Sequence, residues 1–472
     1  MSLDIPPNQD IVIVGASGDL SRRKLLPAIY NLCLQGLLPE RGKVIGVSRT
    51  DMDAEGFRKF AREAVAEFSH SDIDDAKWKT LAQRLDYATM KDGGLAQLGK
   101  AVDAQKRLVY MAVPPSAILS TLEALKEADL VEGTCVVIEK PFGHDLDSSR
   151  QLNRDVRKIF DESQVLRIDH YLGKETVQNI LVFRFGNAVF ERIWNRDTLE
   201  HVEISVAESI GIEGRGKFYE EAGALRDIVQ NHVLQMLAVL AMEPPISLSP
   251  EGIRDEKAKL LKAMRPINPE RVVRGQYTAG TVDSLQVPGY RDEDDVAPDS
   301  DTETFIAAEL AIDTWRWGGV PFFIRTGKRL ARSGTELTLA FKDVPLSLFE
   351  GTDAAREMRP NHLTMRIQPD EGITLSIVAK TPGPEIRTQR VHMDFSYDES
   401  FMTKPAEAYE RLLHDAMDSD RTLFLREDAV ESAWAVVQPV LDDPPPLLEY
   451  PAGSWGPAAS AQLIAPHTWH LE

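Results

Sequence analysis

The densest run of chemically capable side chains is Arg167-Ile168-Asp169-His170-Tyr171-Leu172-Gly173-Lys174-Glu175, which sets an acid, an imidazole, a phenol and an ammonium within positions 169–174. Val165, Leu166 and Ile168 before it have the apolar texture of a buried strand, and positions 174–180 read as a helix start. At such a strand-to-helix corner, free backbone N–H groups and the positive end of the helix favour an anion, and His170, Tyr171 and Lys174 add side-chain donors. Asp169 cannot serve that anion, which leaves it to orient a histidine from elsewhere in the chain. The competing reading of this run is a structural salt-bridge corner. A second polar run, Arg226-Asp227-Ile228-Val229-Gln230-Asn231-His232, interrupts the helical spacing of Leu225, Ile228, Val229, Val233, Met236, Leu237 and Leu240. In α-helical geometry Asp227 and Asn231 share a face, and His232 is turned about 140° from Asp227. A histidine at the edge of a buried stripe is a satisfied core residue unless a carboxylate such as Asp169 partners it, in which case it can act as a base.

The elements that must position these groups begin with Ile11-Val12-Ile13-Val14, an apolar run ending in Gly15-Ala16-Ser17-Gly18-Asp19-Leu20 and followed by Leu25, Leu26, Ile29, Tyr30, Cys33 and Leu34 at helical spacing. Strand, glycine turn and helix in that order can bring backbone N–H groups against a diphosphate, although two glycines three apart also occur in plain turns capped by Asp19 or Ser21. The next strand, positions 43–47, ends in Ser48-Arg49, where an NAD-binding fold places a carboxylate; an arginine there suits the 2′-phosphate of NADP, with Asp51 and Asp53 nearby. Positions 107–113 and 134–143 supply a third and a fourth strand, and 51–107 otherwise carries no informative motif. Glu139-Lys140 directly follows the apolar run of the fourth strand, near the crevice where strand ends of an open parallel sheet meet ligands, and Lys140-Pro141 is a candidate cis bond. Beyond about 165 the texture becomes period-two: 201–208, 336–341, 362–368 and 372–378 alternate as antiparallel strands with one face covered. Glu208 ends one of them, and Phe322-Phe323-Ile324-Arg325-Thr326-Gly327-Lys328-Arg329 ends in basic groups suited to an anion. Positions 211–220 read as a loop, 288–303 as an exposed acidic loop, and the tail from 442 as irregular.

A chain of 472 residues exceeds one ordinary core, so two domains are expected. Its net charge of −20 argues against nucleic acid or an anionic membrane surface as partner, and local basic clusters must hold any anionic ligand. Cys33 and Cys135, the only cysteines, read as buried free thiols of a reducing compartment. With no signal-peptide pattern at 1–10 and no apolar run near the roughly 20 residues of a membrane span, a cytoplasmic location is expected.

The motifs at 15–24, 139–143, 167–175, 226–232, 325–328 and 450–457 (Tyr450-Pro451-Ala452-Gly453-Ser454-Trp455-Gly456-Pro457) stand in the order seen in glucose-6-phosphate dehydrogenases, and the chain resembles that family over nearly its whole length. The resemblance implies an α/β plus α+β protein: an N-terminal Rossmann-like dinucleotide-binding domain over 1–170, then a larger α+β domain over 171–472 with a mostly antiparallel sheet that carries dimerisation. It implies oxidation of glucose 6-phosphate with NADP as hydride acceptor, and a homodimer or homotetramer. Carried over by residue, His232 resembles the general base and Asp169 its orienting carboxylate. His170, Tyr171 and Lys174 resemble the phosphate binders. Lys140, Glu208, Asp227 and Lys328 match positions contacting the sugar, while Gly15, Ala16, Ser17, Gly18, Asp19, Leu20, Arg49 and Lys140 match the NADP site; no metal is expected. One departure is visible, since the family often has a basic residue five positions past the lysine of the Arg325-Thr326-Gly327-Lys328 motif, where this chain has Ser333 beside Arg332. The remaining alternatives are a dehydrogenase of another sugar phosphate and a catalytically silent NADP-binding homologue.

Overall fold

The computed structural model describes residues 4–90, 95, 98, 102, 105–349, 351–352, 355, 358–401 and 407–471. The chain forms two compact units, the first made of 1–175, 245–258 and 405–431, the second of 176–244, 259–404 and 432–472.

The first unit is built on a six-stranded parallel sheet: β1 (Asp10–Val14), β2 (Val44–Ser48), β3 (Leu85–Thr89), β4 (Arg107–Met111), β5 (Thr134–Ile138) and β6 (Val165–Arg167). Their order across the sheet is β3-β2-β1-β4-β5-β6, all pairings parallel. This is the doubly wound arrangement, whose direction reverses between β1 and β4. Every residue of β1 and β2 is buried, as strands covered on both faces require. The strand at Leu85–Thr89 escapes sequence reading because it is a sheet-edge strand with a mixed pattern, only Leu85 and Ala88 being fully buried. Distant segments complete this unit. Asn31 donates to Glu410 Oε1 at 2.8 Å, Leu425 N–H to the Arg167 carbonyl at 2.9 Å, and Arg426 pairs with Asp255 at 2.5 Å. Cys33 and Cys135 are free but only half-buried, and burial pushes both thiols up.

The second unit holds β7 (Leu199–Ala207), β8 (Val272–Thr278), the small hairpin β9 (Gly280–Val282) and β10 (Leu285–Val287), β11 (Phe305–Leu310), β12 (Phe322–Gly327), β13 (Gly334–Phe341), β14 (His362–Gln368), β15 (Gly372–Lys380), β16 (Thr388–Ser396) and β17 (Leu447–Pro451). Apart from the hairpin they form one nine-stranded sheet ordered β16-β15-β14-β13-β7-β12-β11-β8-β17. It is antiparallel except where β7 pairs with β12 and β8 with β17. The expectation of one covered face fits neither end of this gradient: β16 has no buried residue on either face, whereas β7 is buried along nearly its whole length.

The tail and the 288–303 segment depart from the sequence reading. The tail forms β17 and a helix, Ala459–Ile464, and Leu463, Ile464, Trp469 and Leu471 enter the core with Tyr277, Phe305, Phe323 and Tyr450. Within 288–303, Tyr290 is fully buried and donates to Glu220 at 2.6 Å, and Glu303 is buried at its end. Sparse apolar residues at irregular spacing hid both. Among the described residues no helix is long and apolar enough to cross a membrane.

Candidate functional site

The glycine turn lies where β1 and β4 part. Gly15 has φ +91, and a Cβ there would come within 2.1 Å of the Ala112 carbonyl oxygen, so only glycine fits. Its carbonyl accepts from Gly18 N–H at 2.9 Å and Ser21 Oγ at 3.0 Å, while Asp19 pairs with Arg23 at 2.9 Å, so neither Asp19 nor Ser21 caps the helix. At the end of β2, hydroxyls gather: Ser17 Oγ lies 2.9 Å from both Ser48 Oγ and Thr50 Oγ1, and Ser48 Oγ lies 2.7 Å from Tyr87 OH. Arg49 stands exposed in this group, and Asp53 is occupied as the cap of helix Ala54–Phe68, accepting from Gly56 N–H at 2.7 Å.

The strand-to-helix corner differs from the sequence reading in one respect. The amides of residues 171–174 are not open to an anion: Tyr171 N–H donates to Asp169 Oδ1 at 3.0 Å, and Leu172, Gly173 and Lys174 N–H donate to the carbonyls of Asp169, His170 and Tyr171 at 3.0, 3.2 and 3.1 Å. The turn consumes these four, so side chains carry more of any anion's binding here. Gly173 is required by close approach, since a Cβ would lie 2.8 Å from the Ala408 carbonyl oxygen and 2.9 Å from Leu412. Lys174 Nζ lies 5.2 Å from the centre of the Tyr171 ring, and the His170 ring stacks on Tyr409 at 6.1 Å and 13°. Tyr409 and Tyr110 donate to one oxygen of half-buried Glu139, at 3.2 and 2.5 Å, and desolvation raises that carboxyl against the hydrogen bond from Tyr110 and the neighbouring Lys140 charge. Lys140 follows through a cis bond to Pro141. Asp169 is 2% exposed. Near it sits Lys257, which no motif announced; burial draws its ammonium down to about 8 against the field of Asp169.

In the second unit, the parallel pairing of β7 with β12 sets Ala207 opposite Gly327, so that Glu208 and Lys328 leave the sheet side by side and pair at 2.7 Å. Buried Tyr450 holds this end, accepting from or donating to Thr304 Oγ1 at 3.0 Å and donating to the Lys328 carbonyl at 2.7 Å, which explains the Tyr450-Pro451 motif. Ser333, the departure from the family pattern, binds Ser209 Oγ and accepts from Ser209 N–H, both at 2.9 Å. Arg325, a sequence candidate for an anion, is buried instead, donating to Ser205 Oγ at 3.1 Å and to the Leu471 carbonyl. Tyr219 lies under Lys328 Nζ at 5.3 Å; burial, then the charges of Asp227 and Glu208, push its phenol well up.

Residues Leu225–Val233 form a π-helix, not an α-helix. Its i→i+5 bonding brings residues five apart onto one face, so Asp227 and His232 line up and the rotation expected from α geometry does not apply. His232 is 1% exposed, Asp227 half-buried. The helix is launched by Gly223 at φ +60 and by Glu303, whose Oε1 accepts from Leu225 N–H at 3.1 Å and whose carbonyl accepts from Ala224 N–H at 3.0 Å. A Cβ on Gly223 would lie 2.4 Å from that carboxylate oxygen. Gly223→Ala is therefore expected to cost about 1–3 kcal/mol of stability, read from urea unfolding; an unchanged midpoint would show that this launch is not strained.

The candidate residues thus divide. Gly15 to Leu20 by way of the turn, Arg49, Lys140, Asp169, His170, Tyr171 and Lys174 belong to the first unit, and Glu208, Asp227, His232 and Lys328 to the second. A doubly wound sheet with a glycine turn at its reversal point, joined in one chain to a mostly antiparallel sheet, is the architecture of a dinucleotide-binding protein. Residues 12–179 match the family model described as glucose-6-phosphate dehydrogenase, NAD binding domain, and 181–470 that of its C-terminal domain. The chain belongs to the glucose-6-phosphate dehydrogenase family. It is 44% identical over 475 residues to the glucose-6-phosphate 1-dehydrogenase of Dickeya dadantii, covering 96% of both chains. It is similar to the crystal structure of glucose-6-phosphate 1-dehydrogenase from Mycobacterium avium, with 40% identity, 99% of each chain covered and a TM-score of 0.89. It is also similar to a glucose-6-phosphate dehydrogenase in complex with its substrate glucose-6-phosphate, with 37% identity, full coverage of both chains and a TM-score of 0.90.

Proposed function

We propose that this protein is a glucose-6-phosphate 1-dehydrogenase, which oxidises D-glucose 6-phosphate to 6-phospho-D-glucono-1,5-lactone with NADP, the first oxidative step of the pentose phosphate pathway, as a cytoplasmic homodimer or homotetramer. The observation that carries this reading is full-length likeness to a relative whose structure holds glucose-6-phosphate. The division into 1–170 for NADP and 171–472 for substrate and dimerisation goes with it. NADP, when bound, accepts the hydride from C1; the Gly15 turn and the Ser17, Ser48 and Thr50 hydroxyls beside Arg49 fit its diphosphate and 2′-phosphate.

In this reading His232 takes the proton from the anomeric hydroxyl as C1 loses its hydride, and Asp169 fixes the tautomer and supports the imidazolium that forms. His170, Tyr171 and Lys174 hold the phosphate, which is remote from C1, so their binding energy is turned into orientation of the reacting carbon. Lys140, Glu208, Asp227 and Lys328 hold the sugar hydroxyls. The pairing of Lys328 with Glu208 keeps a donor and an acceptor together at one point.

The direct test is nicotinamide absorbance on mixing protein, NADP and glucose 6-phosphate. Reduction with that sugar phosphate is expected. Faster reduction with a different one would reassign the substrate, and none with any would leave a silent NADP-binding homologue. Arg49→Ala is expected to raise the KM for NADP by roughly 10-fold or more, from the loss of a charge-assisted contact, and to change KM for NAD little. Equal effects on both cofactors would give Arg49 a structural role.

A further inference from the structure

Away from these residues, the register of the nine-stranded sheet builds a row of imidazoles. His201 on β7 pairs with Ala340 on β13, Ala340 with His362 on β14, His362 with Ser376 on β15, and Ser376 with His392 on β16. Directly paired residues share a face, and Glu203, two positions from His201, shares it too. The segment 466–471 runs along this row: the His470 ring centre is 4.5 Å from that of His362 and 6.4 Å from that of His201, and His467 is 4.1 Å from His201. Glu203 Oε1 lies 3.0 Å from His201 Nε2 and 2.5 Å from His470 Nδ1, while its Oε2 accepts the His470 N–H at 3.0 Å. His201, His467 and His470 also line an open cavity of about 780 Å³, which gives the cluster an entry path.

We propose that His201, Glu203 and His470 bind a divalent transition-metal ion of the zinc class, with His362 as the neighbouring further donor, and that the ion fastens segment 466–471 to β7. The three ligand atoms lie within 4.8 Å of one another. Tetrahedral zinc, with bonds of about 2.0–2.2 Å, spaces its ligands roughly 3.3 Å apart, so the carboxylate oxygen must withdraw by about 0.8 Å from His470 Nδ1 and less from His201 Nε2. His201 is held on its Nε2 side by Glu203 and packs on the His467 and Phe323 rings at 4.1 and 5.9 Å, which fixes the direction of its ligating nitrogen. Two imidazoles and one carboxylate favour Zn²⁺, Co²⁺ or Ni²⁺ over Mg²⁺ or Ca²⁺.

The test uses the full-length enzyme, stripped with chelator, desalted and titrated at neutral pH with zinc, cobalt or magnesium chloride. One zinc per chain should survive gel filtration, the melting temperature should rise with zinc concentration and not with magnesium, and bound cobalt should show the strong visible absorption of a four-coordinate site. His470 is accessible to solvent, so His470→Ala should fold like the metal-free enzyme yet bind zinc more weakly by at least the roughly 10–100-fold that even an outer-sphere partner is worth. His144→Ala, an exposed histidine elsewhere, should bind as the wild type does. No zinc retained by the wild type, or equal retention by His470→Ala, would overturn the site and leave a hydrogen-bonded His–Glu–His cluster.

Discussion

His232→Asn is expected to lower turnover by about 10²–10⁴-fold, the usual worth of a general base, with little change in binding of glucose 6-phosphate. Asparagine keeps similar bulk and a hydrogen-bonding end but cannot accept the anomeric proton. His232 is 1% exposed inside a π-helix, and its backbone N–H is taken by Asn231 Oδ1 at 2.6 Å. The same helix carries Asp227 on the face of His232, so a shifted helix would disturb base and sugar contact together and raise KM as well. Steady-state kinetics separates these cases. A fall in kcat alone supports the base, a joint change in kcat and KM points to helix distortion, and turnover near the wild-type value ends the candidacy of His232.

Much of this arrangement was legible in the residue order. Continuous apolar runs gave β1 and β2 their place because strands buried on both faces can carry no alternation, and Glu208 and Lys328 stood out as charges at strand ends, the first of an alternating strand and the second of an apolar run. Their pairing was not legible, because it follows from the parallel register of β7 with β12 across more than a hundred residues of chain. Three other features were hidden for different physical reasons. A π-helix has the same composition as an α-helix, so five-residue spacing at Asp227 and His232 looked like opposed faces. The amides of Leu172, Gly173 and Lys174 looked open because a turn's internal hydrogen bonds depend on dihedral angles and not on residue type. The histidine row depends on cross-strand register and on a segment 267 residues away from Glu203, which no local spacing records.

Lys174→Ala tests the phosphate site separately from the base. In the proposed site, where the amides of residues 171–174 are consumed by the turn, the anion relies chiefly on the His170, Tyr171 and Lys174 side chains, and of these only the lysine carries a full positive charge independent of histidine protonation. A charge-assisted hydrogen bond contributes roughly 1.5–3 kcal/mol, so kcat/KM for glucose 6-phosphate should fall at least about tenfold. Part of the loss should appear in kcat, since an unanchored phosphate leaves C1 poorly aimed at the nicotinamide and the base. Oxidation of unphosphorylated glucose, which has no anion to lose, should hardly change. Lys174→Arg should recover part of the loss, because it restores the charge with a different fork geometry. The Tyr171 ring under Lys174 Nζ, at 5.2 Å, offers the alternative: if the lysine mainly packs there, both substrates will lose equally and arginine will rescue neither. That outcome would remove the strand-to-helix corner as the phosphate site and leave Lys174 a support of the local fold.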